Sequence, residues 1–309
     1  MKKMSLQVLL LCLAGLAVGT ARAGLPDANA EMAKEASAAY EAKDWAKAAQ
    51  LYQKIVDGGQ QTPRLWFRLA ASLHGIGNQA KAVEAYEKSI EAGLPKSMGE
   101  YQIAVVYASM KEKEKAFEFL QKAAQDGFSQ PEQLTADTEL ADLRSDARFA
   151  KLVEQATHNQ KPCAYAAENR QFDFWLGEWN VVTTQGEMPA GSSKIELILG
   201  DCVVQENWTS GGNAGYTGKS YNIYNQASKR WEQYWVDNAG GNIFFYGGLK
   251  DGAMDYWTDE IPQPNGTKLK RHLQFIKLGP DTVRQFSQGS SDGGKTWQPE
   301  YDFTYNRKK

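Results

Sequence analysis

The chain has 309 residues, of which 42% are hydrophobic and 23% are charged, and its formal net charge is −2. This length allows about two globular domains, and the composition excludes a disordered or fibrous chain. The near-neutral charge also lacks the basic footprint of proteins that bind nucleic acid through its phosphates, so we expect no nucleic-acid partner.

The first 23 residues have the pattern of a cleavable export signal. Lys2 and Lys3 precede an apolar run over residues 6–18, and Ala-Arg-Ala at 21–23 has the small-x-small form of a signal-peptidase site. The apolar run is shorter than the roughly 20 residues that a membrane-spanning helix needs. We therefore predict cleavage near Ala23, no membrane span after that cleavage, and a periplasmic or secreted protein.

Two cysteines remain after the predicted cleavage, Cys163 and Cys202. An even number of cysteines in an exported chain favours a disulfide over a metal-binding or reactive pair. We therefore predict a Cys163–Cys202 bond.

The N-terminal half repeats every 34 residues. Alanine recurs at 48, 82 and 116, and large side chains recur at Tyr52, Tyr86 and Leu120. The pattern resembles the tetratricopeptide repeat, in which two helices cross closely at the small residues and the large ones fill the space to the next unit. We expect about three such units with a capping helix over residues 24–156.

The resemblance implies a groove along the first helix of each unit that holds an extended peptide or a partner helix. The alternative is that the short array only packs against the second domain, since a fold does not fix a function. Carried over by register, the candidate partner-binding residues are Tyr40, Arg64, Phe67, His74, Tyr101 and Val105.

A second domain is expected over residues 172–309, after a linker at 157–171. The hydrophobic period changes there from helical to alternating, and turn-forming glycine, asparagine and serine clusters separate the segments. Short strands at this spacing indicate a sandwich or an up-and-down barrel. The ten candidate strands are 178–184, 194–199, 202–209, 217–225, 230–237, 242–247, 253–259, 268–278, 281–288 and 297–306.

The stretch FDFWLGEWNVV at 172–182 begins with helical spacing and continues with strand alternation, and Gly177 lies between the two patterns. It resembles the start of lipocalin and wider calycin barrels. The resemblance implies that Trp175, Gly177 and Trp179 form the floor of a barrel. It also implies a late-strand arginine stacked on the floor tryptophan, for which Arg284 is the candidate and Arg271 the reserve.

Together with Cys163, Cys202 and later motifs, residues 163–306 resemble an uncharacterised family of bacterial lipocalin-like barrels, which implies a fold and no activity. The expected fold class is therefore α+β and multidomain. A helical tetratricopeptide solenoid is followed by an antiparallel lipocalin-like β-barrel.

The aromatic residues of the second domain could line a ligand chamber or merely fill a small barrel. Alternation alone does not say whether Trp231, Gln233 and Trp235 or Tyr234 and Val236 face inward. The candidate ligand-binding residues are Trp208, Tyr221, Gln233, Trp235, Phe245, Arg271 and Arg284.

The sequence offers no catalytic or metal-binding motif on which to name a site. The Asp-box-like stretch SSDGGKTW at 290–297 predicts a structural hairpin turn built on Ser290, Asp292, Gly294 and Trp297. No cofactor is expected: haem would need His272, whose strand neighbours Lys270 and Gln274 indicate an outward position.

The leading hypothesis is an exported, non-enzymatic binding or scaffold protein. Its repeats would dock a protein partner or the barrel, and its barrel would hold a small apolar ligand. One alternative is an envelope scaffold with a solidly packed barrel. Another is an envelope hydrolase with a carboxylate pair or an activated serine in the barrel mouth. The available carboxylates are Asp173, Glu178, Glu206, Glu232 and Asp237, and the sequence favours no pair among them.

Overall fold

The computed structural model describes residues 28–212 and 215–309, so the predicted signal peptide at 1–23 lies outside the described residues. The chain forms two compact units, one up to Phe119 and one from Leu120 to Lys309, and the division falls within a helix. The helical repeats and the closed antiparallel barrel give the predicted α+β, two-domain architecture.

Helices form the N-terminal part of the chain, and each of the first four packs against the next. They are α1 (Ala28–Glu41), α2 (Trp45–Asp57), α3 (Pro63–Gly75), α4 (Gln79–Glu91), α5 (Lys96–Ser109) and α6 (Lys113–Gln125).

The 34-residue period corresponds to buried small residues where paired helices cross. Ala48, Ala82 and Ala116 on the second helices and Ala70 and Ala104 on the first helices are fully buried. A side chain larger than alanine at these positions would push the helix axes apart, because the interior is close-packed. The repeat fold therefore depends on keeping these positions small.

The first repeat is complete, although its sequence pattern is weak before Tyr40. Ala36 on α1 is fully buried and lies 34 residues before Ala70.

Helices α2 and α3 begin with side-chain caps. The Asp44 carboxylate accepts a hydrogen bond from the Lys47 backbone N–H, and the Thr62 hydroxyl accepts one from the Leu65 backbone N–H.

In the second unit, α6 is followed by α7 (Pro131–Ala136), a 3-10 helix (Thr138–Leu143), α8 (Ala147–Gln160) and α9 (Pro162–Tyr165). The Asn159 amide donates to the backbone carbonyls of Ala124 and Phe128, at 2.7 and 2.9 Å, and so ties α8 to the end of α6. The segment expected to be a linker, 157–171, thus contains the end of α8, α9 and a further 3-10 turn.

Eleven strands make up the sheet of the second unit. They are β1 (Gly177–Thr183), β2 (Pro189–Ile198), β3 (Val203–Ser210), β4 (Thr217–Asn225), β5 (Arg230–Asp237), β6 (Asn242–Lys250), β7 (Ala253–Trp257), β8 (Ile261–Pro262), β9 (Lys268–Gly279), β10 (Thr282–Ser290) and β11 (Gln298–Arg307). All ten predicted strands are present, and β8 is an additional two-residue strand.

The sheet closes into an antiparallel barrel of ten strands. Each of β1 to β7 pairs with its neighbour in the chain, β7 pairs with β9, β9 with β10, β10 with β11, and β11 returns to β1. The short β8 pairs only with the start of β9. Closure removes free sheet edges and leaves one interior face.

The disulfide predicted from the cysteine count is present. Cys163 on α9 is bonded to Cys202, which lies in the turn before β3. The bond links the segment leading into the barrel to the barrel wall, across a sequence separation of 39 residues.

The predicted Asp-box stretch forms the turn between β10 and β11. The Asp292 carboxylate accepts hydrogen bonds from the backbone N–H groups of Lys295 and Thr296 and from the Ser290 hydroxyl. Gly294 has a φ of +92°, and the Trp297 indole donates to its carbonyl. The Thr296 hydroxyl also donates to Asp292 Oδ2, at 2.6 Å. It contributes most among the donors to this carboxylate, which together hold the pKa of Asp292 well below its usual range.

Within the described ranges, no helix is long and apolar enough to cross a membrane. The same residues contain no group of three or more His, Cys, Asp or Glu side chains placed to hold a metal ion.

Candidate functional site

The barrel contains a cavity of about 350 Å³. Its upper walls are mainly aromatic and its deeper part is polar. The lining residues are Ala190, Glu206, Trp208, Ser210, Tyr216, Gln233, Trp235, Ile243, Phe245, Leu273, Gln285, Tyr301, Phe303 and Tyr305.

Strand register decides which face of β5 is inner. Gln233 pairs with Asn222 and Phe245, and Trp235 pairs with Ser220 and Ile243, all on the cavity side. On the other face, Tyr234 and Val236 remain 47% and 43% exposed. The set Trp231, Gln233 and Trp235 therefore points inward, which the sequence alternation left undecided.

A buried carboxyl group, Glu206 on β3, lies at the base of the cavity and is 2% exposed. Its Oε1 accepts a hydrogen bond from the Ser193 hydroxyl at 2.8 Å, and its Oε2 accepts one from the Ser220 hydroxyl at 3.0 Å. The Tyr305 hydroxyl lies 3.2 Å from Oε1. These three partners come from β2, β4 and β11, so barrel closure assembles the site.

Hydrogen bonds extend from Glu206 to three side-chain amides, Gln285 through Tyr305 and Asn222 and Gln233 through Ser220. The Tyr305 hydroxyl lies 2.7 Å from Gln285 Oε1, and a single hydroxyl proton cannot serve both Gln285 and Glu206. Two arrangements satisfy all three groups: a protonated Glu206 that donates to the Tyr305 oxygen, or a rotated Gln285 amide that donates to it. Through Ser220, the chain continues to Asn222, which accepts from the Gln233 amide at 2.7 Å.

Burial raises the pKa of Glu206 to about 7, against the lowering effect of its three hydroxyl partners. No cation is among the groups that set this pKa. Removal of the carboxylate from water therefore dominates over the hydrogen bonds that it receives. At neutral pH the acid is balanced between its charged and neutral forms.

The floor beneath this polar layer is formed by the aromatic stretch that opens the barrel. A 3-10 turn at Asp173–Trp175 leads into β1, and Trp175 and Trp179 are fully buried. The Trp179 indole donates to the Trp175 carbonyl at 2.8 Å, and its ring meets the edge of Tyr305. Any ligand in the cavity therefore lies above Trp179 rather than against it.

An arginine covers the floor tryptophan, as the resemblance implies, but it is Arg307 rather than Arg284. The Arg307 guanidinium lies 4.2 Å from the centre of the Trp179 ring and donates to the Leu176 carbonyl at 2.7 Å. Arg284 instead forms a two-bond ion pair with Asp302, at 2.8 Å for each bond, and lies over Phe286. The expectation for Arg284 was wrong because it rested on strand position without knowledge of the register.

The predicted ligand-binding residues divide into two groups. Trp208, Gln233, Trp235 and Phe245 line the cavity, whereas Tyr221, Arg271 and Arg284 are not among the lining residues. Tyr221 pairs with the outward-facing Tyr234, and Arg271 is held by Glu300 through Nε at 2.9 and 3.1 Å.

His272 lies on the outer face of the barrel, away from the cavity, but it is buried there by its neighbours. Its ring stacks on Trp257 with centroids 3.8 Å apart, its Nε2 contacts Asp255 at 2.5 Å, and its Nδ1 contacts the Gln288 amide at 2.9 Å. The Trp257 indole and the Gln274 amide also donate to Asp255. This cluster satisfies its own polar groups and presents no site to the cavity.

A second concave feature is a groove of about 440 Å³ in the first unit, formed by α3 and the segments around it. Of the predicted partner-binding residues, Tyr40, Arg64 and Phe67 line it, while His74, Tyr101 and Val105 do not. Tyr101 and Val105 are only 1% and 6% exposed, and His74 contacts Gln79 at 2.6 Å. The remaining lining residues are Pro63, Arg68, Gly93, Leu94, Pro95 and Met98.

Sequence reasoning missed the partners of the buried acid. For Glu206 itself, alternation with Val204 and Trp208 along β3 was the available signal of an inward carboxylate. Ser193, Ser220 and Tyr305 carry no motif, and they meet Glu206 only because β2, β4 and β11 bring them to one level of the closed barrel.

Residues 63–92 and 101–125 match the tetratricopeptide repeat. Among solved structures, MamA is 16% identical, with a TM-score of 0.37 and coverage of 46% of this chain and 83% of that chain. YrrB, described as a TPR protein with an unusual peptide-binding site, is 12% identical, with a TM-score of 0.35 and coverage of 43% and 69%.

SycD, a type III secretion translocator chaperone of Yersinia enterocolitica, is 16% identical, with a TM-score of 0.31 and coverage of 41% and 90%. No curated protein matches the chain. The family match at residues 63–92 and 101–125 shows that the second and third helix pairs are tetratricopeptide repeats, a fold typical of protein-binding scaffolds.

Proposed function

We propose that the barrel, which we place at residues 172–309, is a non-enzymatic binding module that holds one small molecule in its cavity. The observation that carries the proposal is the cavity itself: about 350 Å³, with aromatic walls and a few convergent polar groups at its base. Ligand sites in proteins have this size and this mixture of surfaces.

The cavity supports this function over the two alternatives. A barrel that served only as a packed scaffold would have its interior filled by side chains. Hydrolysis of a glycosidic bond by paired carboxylates needs two of them flanking the bond. Of the described residues that line the cavity, Glu206 is the single carboxylate.

Binding can be tested with the neutral apolar dye N-phenylnaphthylamine, whose fluorescence rises in an apolar site. We expect the purified protein to bind it with a Kd on the order of micromolar, since ordinary small-ligand pockets reach this range. The variant Ala190→Trp adds a large ring to a residue that lines the cavity, and it should weaken binding at least about tenfold, a loss of about 1.4 kcal/mol.

Ala239→Trp is the matched control, because Ala239 lies in the exposed turn between β5 and β6. It should bind the dye as the unsubstituted protein does. Equal loss in both variants, or dye binding that Ala190→Trp leaves unchanged, would place the dye outside the cavity and contradict the proposal.

We further propose that the helical groove binds an extended protein segment that carries apolar and acidic side chains. The groove is lined by apolar residues, among them Phe67, Leu94 and Met98, and by two arginines. Arg68 is held in place by the Ser37 and Tyr52 hydroxyls at 2.7 and 2.9 Å, and it lies over the Tyr40 ring. Arg64 is exposed at the groove and supplies a positive charge to a partner.

Selection from a random peptide library tests this docking mode. Peptides retained by the protein should be enriched in acidic and apolar residues, and the Arg64→Glu variant should lose about tenfold in affinity for them, through charge repulsion in place of attraction. Lys81→Glu makes the same charge change at an exposed site on α4 outside the groove lining. Equal effects of the two variants would show that net charge governs peptide affinity, and would contradict peptide binding in the groove.

We also propose an extracytoplasmic location, periplasmic or secreted. The Cys163–Cys202 disulfide supports it, because such bonds persist mainly in oxidising compartments. The export signal predicted at residues 1–23 points the same way.

A further inference from the structure

The charge pattern of the cavity, as far as the described residues line it, is a buried acid and no fixed cation. Among the described residues that line it, Glu206 is a carboxyl group and none is lysine or arginine. The nearby Arg271, which is not among the lining residues, is already paired with Glu300 through two contacts of 2.9 and 3.1 Å. An anionic ligand would therefore meet no available positive charge at the base of this cavity.

The surroundings of Glu206 are nevertheless arranged to accept a negative charge. The hydroxyls of Ser193 on β2 and Ser220 on β4 donate to its two oxygens, and the Tyr305 hydroxyl lies 3.2 Å from Oε1. Such oriented donors stabilise a carboxylate without further reorganisation. None of the partners that the described part of the chain gives the buried carboxylate is a cation. Attraction between opposite charges is strong where water is excluded.

The walls above Glu206 suit the apolar body of a ligand that brings such a cation. Trp208 stacks on Phe303 and Phe303 stacks on Tyr301, which forms an aromatic surface along the upper cavity. Trp235, Ile243 and further apolar residues line the rest. Aromatic faces favour both ring stacking and nearby positive charge.

We propose that the cavity selects a small aromatic amine, whose ring lies between the upper aromatic walls and whose ammonium group pairs with Glu206 at the base. This inference rests on the proposed function of the barrel as a ligand-binding module. It adds the chemical class of the ligand: a cation with an apolar ring, in preference to a neutral molecule or a carboxylate of the same shape.

Three probes of matched shape test the charge preference by titration calorimetry. They share an indole ring and differ in the side-chain head: tryptamine is an ammonium, tryptophol is a neutral alcohol and indoleacetate is a carboxylate. At pH 8 we expect tryptamine to bind at least about tenfold more tightly than tryptophol, and indoleacetate to bind most weakly, since the carboxylate would face Glu206 without a cation.

The pH dependence has opposite signs for the probes. The tryptamine amine stays protonated, because aliphatic amines titrate at about pH 10. Its affinity should rise about tenfold from pH 6 to pH 8, as Glu206 loses its proton with a pKa of about 7. The affinity of tryptophol should stay level or fall over the same range.

Among the described residues, the other titratable groups that face Glu206 are Tyr301 and Tyr305 on β11, and the Arg271–Glu300 ion pair lies near Tyr301. Burial raises the pKa of both phenols further above their usual value, so both stay neutral over this range. Ser193, Ser220 and Gln285, from β2, β4 and β10, do not titrate. A pH-dependent affinity between pH 6 and pH 8 therefore reports Glu206.

The variant Glu206→Gln should abolish the preference for tryptamine and its rise with pH, while tryptophol keeps its affinity to within about threefold. Glu178→Gln removes a carboxylate from β1 that is exposed to solvent, and it should change neither. If Glu206→Gln does not fold, the pH profiles of the unsubstituted protein still decide the question.

Tryptamine affinity no higher than that of tryptophol at pH 8, or a preference that survives in Glu206→Gln, would overturn the inference. If N-phenylnaphthylamine binds in the cavity but tryptamine is not preferred, the binding function stands and the amine class is wrong. If neither the dye nor any of the three probes binds, both the proposed function and this inference fail.

Discussion

Replacing Trp179 by alanine should lower the free energy of unfolding by about 3–5 kcal/mol. The side chain is fully buried, its indole donates to the Trp175 carbonyl, and the Arg307 guanidinium covers its ring. Truncation would remove the buried indole surface and leave a cavity in the floor. The Arg307 guanidinium would also lose its contact with the ring. Urea denaturation followed by circular dichroism measures the change.

Trp208→Ala is the matched substitution at the upper end of the barrel. Trp208 lines the cavity and is only partly buried, so its truncation should cost about 1 kcal/mol of stability and weaken binding of N-phenylnaphthylamine. If Trp208→Ala destabilised the protein as much as Trp179→Ala, the two tryptophans would not divide into a structural floor and a ligand-facing wall.

Gly177 shows how much of the floor could be predicted from the sequence. It separates the helical spacing of the aromatic stretch from the strand alternation, and the structure places it at the start of β1 with a φ of +122°. A Cβ at this position would lie 2.3 Å from the Arg307 guanidinium. The glycine is therefore explained by a turn, which the sequence predicts, and by a close approach, which it does not.

The repeats were predictable because their signal is local. Helix periodicity and a 34-residue recurrence within the chain identify Ala48, Ala82 and Ala116 as crossing points, and all three are fully buried. The burial of Tyr101 and Val105 was not predictable. Family register places them on the groove face, but burial depends on what packs beside α5 in this particular chain.

The barrel site was less predictable from the sequence than the repeats were. Its strands could be located from alternation and turns, yet the inner face of β5 depends on register, and a shift of one residue would exchange Gln233 with Tyr234. Contacts such as Tyr305 to Glu206 join residues 99 positions apart. A single sequence contains no local signal for a pairing that only barrel closure creates.

The buried acid should also make the stability of the protein depend on pH in a direction opposite to that of most carboxylates. A glutamate in the unfolded chain has its ordinary pKa of 4.5, whereas Glu206 in the folded barrel has a pKa of about 7. Between these values the folded state binds more protons, so the free energy of unfolding falls as the pH rises, and it levels off above pH 7. The accumulated loss is about 3 kcal/mol.

Glu206→Gln isolates this contribution, because glutamine keeps the shape and does not titrate. From pH 4.5 to pH 8, the unsubstituted protein should lose about 3 kcal/mol more stability than the variant does, as measured by urea denaturation at each pH. Every other titrating group is common to both proteins and cancels in the difference. The exposed Glu178→Gln should run parallel to the unsubstituted protein. A Glu206→Gln profile that also ran parallel would mean that the acid is hydrated and titrates normally in the folded barrel.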